Sequence, residues 1–121
     1  MMTRILIALA LVSVLLSSCL GRKPVPEGAS GAEIFVLQNC QLCHEADGSG
    51  SRRGPALGNL GAHWTQAELV DYFFDPAPAI AASTRLQEYE DKHSLSMPRY
   101  HNLTEEQRVE LAGWVLTKFG S

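Results

Sequence analysis

The sequence predicts an all-α domain. Three observations carry that expectation. No segment alternates apolar and polar residues at period two, and the apolar residues recur at helical intervals. Two stretches, Thr65 to Glu68 and Thr104 to Gln107, carry the spacing of a capping box, which opens a helix. With 121 residues the chain has room for one domain and one core. It divides into residues 1–18, 19–30 and 31–121.

The first part is a leader. Arg4 supplies a positive start, and Ile5 to Leu16 are apolar except for Ser13. Those 12 residues fall short of the roughly 20 that cross a bilayer but suit the apolar region of a signal peptide. Leu16-Ser17-Ser18-Cys19 then resembles the lipobox of bacterial lipoproteins. That resemblance implies cleavage before Cys19 and lipid on its sulfur and new amino group. Without Arg4 the remaining chain carries nine basic against thirteen acidic side chains. A basic stripe for nucleic acid is absent, and an anionic membrane would not attract the chain by charge, so the acyl chains must hold it. Leu20 to Gly31, rich in Pro, Gly and Ser, reads as a tether between anchor and domain.

The domain itself opens with Ala32 to Cys43, compatible with a helix through Ile34, Phe35, Leu37 and Leu42. The run to Asn59 contains four glycines around Pro55 and reads as loop. After the box at Thr65 come Leu69, Val70, Phe73 and Phe74, and Asp75-Pro76 ends that helix. Ala79 to Glu90 reads as another helix, with Ile80, Leu86 and Tyr89 on its apolar side. Ser94 to Leu103 is irregular around Met97-Pro98. The box at Thr104 opens the closing helix, with Leu111, Trp114 and Val115 on its apolar face and Gly120 as its cap.

The chemistry centres on Cys40-Gln41-Leu42-Cys43-His44. On a helical turn the two thiols share one face with the imidazole beside them. Thiols so placed can add to the two vinyl groups of one porphyrin and leave His44 under the iron. Zinc would need a second ligand pair, and with Cys19 lipidated no cysteine is left; His93 and His101 are spaced too widely. A redox dithiol suits a βαβ setting. Covalent haem is therefore the leading reading, with a Cys40–Cys43 disulfide or dithiol and a zinc site as the others. For a second axial ligand, Met97 is the one methionine outside the leader and lies off any apolar stripe. A thioether there would favour ferrous iron. His93 and His101 are its rivals.

Together these residues give the chain the look of a class I c-type cytochrome, over nearly all of Gly31 to Gly120. The resemblance rests on Gly31 and Phe35 before CxxCH, on Gly54-Pro55-Ala56-Leu57, on Met97-Pro98, and on Leu111 and Trp114 in the closing helix. It implies a cytochrome c fold, with the N- and C-terminal helices packed together around one covalently attached haem c. It implies His44 and Met97 as iron ligands and the Pro55 carbonyl as acceptor of the His44 N–H. Trp64 and Arg53 stand where members often meet the haem propionates, whereas Arg52 and His63 read as surface residues.

The function implied is one-electron transfer rather than catalysis, because two axial ligands leave the iron no open position. Periplasmic or membrane redox proteins would be the partners. The expected location is the periplasmic side of a bacterial membrane, with Leu20 rather than Asp after Cys19 pointing to the outer one. A gas sensor or peroxidase-like enzyme with a labile sixth ligand, and a non-haem lipoprotein with a Cys40–Cys43 disulfide, are the alternative classes.

Overall fold

The computed structural model describes residues 22–121. The leader and Cys19 lie outside the described residues. Six α-helices and one 3₁₀ turn make up the described regular structure: α1 (Gly31–Leu37), α2 (Gln41–His44), the 3₁₀ turn (Leu60–Ala62), α3 (Gln66–Phe74), α4 (Ala77–Ala81), α5 (Thr84–Lys92) and α6 (Glu105–Phe119). No strand occurs among the described residues.

Side chains fix the helix starts. Thr65 and Thr104 close complete capping boxes with Glu68 and Gln107. A third box, Ser30 with Glu33, starts α1 one residue before the expected start, at Gly31. Two elements expected as continuous are divided. The helix expected over 32–43 breaks where Asn39 takes φ 64°, a left-handed conformation that Asn tolerates better than most residues. The break turns the chain so that α2 begins a new axis. The helix expected over 79–90 is split because Ser83 is extended (φ −131°, ψ 114°) and its hydroxyl accepts the Leu86 N–H, which opens α5.

The terminal helices α1 and α6 pack directly on each other, and α3 lies against α6. Gly31 makes the first contact possible. A methyl group there would collide with the Trp114 side chain and come within 2.6 Å of the Glu110 carbonyl. Phe35 then stacks at a tilt on Trp114, with centroids 5.1 Å apart, and also meets Phe119. Ile34, Leu111 and Ala112 are sealed in the same seam. Gly31→Ala is expected to force the helices apart at a cost of about 1–3 kcal/mol. A lower thermal midpoint of the haem-loaded protein is the readout, and an unchanged one would contradict the close approach.

The tether expectation meets a different picture from Arg22 onward. The Arg22 guanidinium donates to the Arg99 carbonyl (3.0 Å) and Asn102 Oδ1 (3.1 Å) and lies 4.4 Å over the Tyr100 ring. The Gln38 amide donates to the Lys23 carbonyl, and Gln107 donates to that of Val25. Ala29 is buried. Residues 22–29 therefore form a strap laid on the domain.

Candidate haem site

Between the helices lies a cavity of about 350 Å³, within the roughly 300–1,000 Å³ typical of small-molecule and cofactor sites. Cys40, Cys43, His44, Pro55 and Met97, drawn from separate parts of the sequence, all line it.

The α2 turn supplies the first three. Cys40 precedes Gln41 as the cap of α2, so Cys40, Cys43 and His44 sit together on one short helical turn. The loop after it folds back under the imidazole. Gly50 (φ 79°) donates its N–H to the His44 carbonyl at 3.0 Å, and the Ser51 hydroxyl donates to the Cys43 carbonyl at 2.7 Å. That path brings the Pro55 carbonyl 2.7 Å from His44 Nδ1. Only a protonated Nδ1 can donate to a carbonyl, so Nε2 keeps its lone pair. Burial pushes His44 below the ordinary imidazole range, an effect opposed by the Pro55 bond and reinforced by His93. The ring is thus held neutral and aimed, as a metal-ligating histidine must be.

The segment bearing Met97 also lines the cavity. It is pinned on both flanks: Ser94 N–H donates to the Arg52 carbonyl at 2.9 Å, and Tyr100 N–H to that of Phe73 at 2.8 Å. An ion pair between Arg99 and Asp75 (3.1 Å) adds a solvent-exposed tie. Met97 is partly buried against the core. Its histidine rivals separate. His101 stacks on Phe74, with centroids 4.4 Å apart, and does not line the cavity. His93 does line it, with Nδ1 2.7 Å from the Tyr89 carbonyl.

The Cys40 thiol does not resemble that of a reactive dithiol. Burial pushes the Cys40 thiol up to about 11, despite a hydrogen bond with Tyr100 that acts the other way. Reactive dithiols need the opposite shift. Zinc fares no better, since no group of three or more His, Cys, Asp and Glu side chains among the described residues could hold a metal ion.

Arg53, Trp64 and His63 also line the cavity, and so do residues that no sequence pattern singled out. Arg85 lies 5.7 Å from the ring centroids of both Trp64 and Tyr89. Tyr72, beside Trp64 at 4.7 Å, is pushed up to about 12 by burial and by Glu90, so its hydroxyl stays protonated. The available signal was the spacing of Arg85 and Tyr89 on one face of α5. A charged residue in a helix reads first as a solvated one.

A cavity lined by a neutral, oriented imidazole, two thiols from one helical turn and a thioether defines the class: a helical domain fitted to a covalently attached haem. The chain matches the cytochrome c family over residues 28–118, and it belongs to that family. Comparison with curated proteins gave no significant match. Comparison with solved structures likewise gave none. Family membership makes the protein a carrier of covalently bound haem c that acts in electron transfer.

Proposed function

We propose that the protein is a lipid-anchored one-electron carrier on the periplasmic side of a bacterial membrane, with a single haem c between His44 and Met97. The observation that carries this reading is the 2.7 Å bond from His44 Nδ1 to the Pro55 carbonyl, which leaves the Nε2 lone pair free on a ring that lines the cavity. When bound, haem c supplies an iron that alternates between ferric and ferrous states.

The chain's residues do the rest. Cys40 and Cys43 fix the ring by two thioether bonds, and His44 holds the proximal position. Met97 would supply the second ligand and would favour the reduced state, since a thioether donates weakly to ferric iron. Arg53 and Arg85 line the cavity and supply positive charge for the two carboxylates of the ring. With His44 and Met97 both holding the iron, substrate and dioxygen would find no open position, and the protein would act as a carrier rather than a catalyst. The partners are periplasmic or membrane redox proteins, and Leu20 after the anchoring Cys19 favours the outer membrane.

Carbon monoxide tests the closed coordination. The reduced protein is expected to keep its spectrum under the gas. Rapid binding would mark the sixth ligand as labile and transfer the reading to a gas sensor or peroxidase-like enzyme. Mass spectrometry of the membrane-derived protein tests the anchor, through diacylglyceryl and acyl groups on Cys19.

A further inference from the structure

The strap at residues 22–29 begins at the cavity itself. Arg22 lines the cavity beside Cys40 while its guanidinium is held by Arg99, Tyr100 and Asn102. Cys19 lies three residues earlier in the chain. Three residues extend at most about 11 Å. If Cys19 carries the lipid, the edge of the cavity at Arg22 cannot stand further than that from the acylated residue. The free length matters as much as the distance. A tether of twelve residues, 19–30, would let the domain tumble, whereas one that ends at Arg22 restrains it.

The rim of the cavity has a matching chemistry. Leu42, between the two cysteines, is 52% exposed, and Leu95, two residues before Met97, is 55% exposed; both line the cavity. They give the rim of the cavity two exposed apolar side chains.

We infer that the docked strap turns the Arg22 side of the haem cavity toward the membrane, so that the protein exchanges electrons with a partner held in that same membrane rather than with a freely diffusing one. This rests on the lipid anchor proposed for Cys19. The strap is then a positioning device: Arg22, Gln38 and Gln107 set where the haem edge points without touching the reacting atoms.

The test uses the lipidated, haem-loaded protein in phosphatidylcholine vesicles. Ferric protein is reduced either by a long-chain benzohydroquinone confined to the bilayer, each molecule reducing two haems and releasing two protons, or by ascorbate in the water phase. Ten Gly/Ser residues inserted between Gly21 and Arg22 leave the strap and the fold untouched but free the orientation. The insertion is expected to slow the hydroquinone reaction about five- to tenfold, as the effective concentration falls with tether length, and to leave the ascorbate rate unchanged. Lipidated protein whose hydroquinone rate ignores the insertion overturns the orientation alone. Protein recovered without lipid on Cys19 overturns the anchor and the orientation together.

Discussion

Replacing Cys40 and Cys43 together by serine is expected to give a colourless chain that does not fold to a stable domain. Serine cannot form the thioether bonds, so the ring is not retained through purification. The cavity of about 350 Å³ then has to stand empty or collapse. At roughly 24 cal/mol per Å³ an unrelaxed cavity of that size costs at most about 8 kcal/mol. Domains of this size are stable by only about 5–15 kcal/mol. The core residues bordering the cavity, Phe35, Leu69, Phe73, Leu111 and Val115, would lose their packing partner at the same time. Haem staining on a denaturing gel and a thermal melt tracked by circular dichroism check this. A colourless variant that melts cooperatively at the native midpoint would show that the helices fold without the ring.

The second large effect is expected at Met97. Met97→Ala should lower the midpoint potential by at least about 0.1 V, within the roughly 0.8 V range that axial ligands govern. The direction reflects the loss of a weak donor that favours the reduced state. Of the two rivals named from the sequence, His93 lines the cavity and His101 does not; His93 has its Nδ1 2.7 Å from the Tyr89 carbonyl. His93→Ala in the otherwise native protein is expected to leave the potential within a few hundredths of a volt, since a residue that does not ligate the iron acts only through modest local charge and solvation. A large change in His93→Ala with none in Met97→Ala would assign the position to the histidine. His101, stacked on Phe74 outside the cavity, is expected to be silent in the same titration.

Much of this was legible in the sequence because local rules and the global fold agree. The capping boxes at Thr65 and Thr104 mark real helix starts, and Leu69, Val70, Phe73, Leu111 and Val115 after them face the core, whereas Phe74 is exposed. Gly31 and Trp114 stand 83 positions apart, and their packing was legible only through the family resemblance that rests on them, not through any local rule. The features that the sequence concealed have physical causes. A left-handed Asn39 leaves no trace in a pattern of apolar spacing, and it divides the first helix. Ser83 acts through one hydroxyl and splits another.

The strap was hidden for a different reason. LGRKPVPEGASG has the composition of a linker, and composition describes what a segment can do alone. Its docking depends on acceptors and side chains 15 to 82 residues away, among them Gln38, Asn102 and Gln107. Arg85 escaped notice in a similar way, because only the fold shows that its face of α5 lines the cavity. CxxCH, Pro55 and Met97 are separated by up to 57 positions from Cys40 to Met97 and meet in one cavity.

The most direct test of the central claim is the visible spectrum of the purified, membrane-derived protein, after a denaturing gel has shown that haem stain stays with the chain. A covalent ring bound by His44 and Met97 is expected to give the sharp bands of a low-spin c-type haem when reduced and a weak sulfur-to-iron charge-transfer band when oxidised. A band that is present in the native protein and lost in Met97→Ala would place the thioether on the iron. A folded protein with no haem on the gel, or haem whose oxidised spectrum lacks that band, would contradict the His44–Met97 carrier.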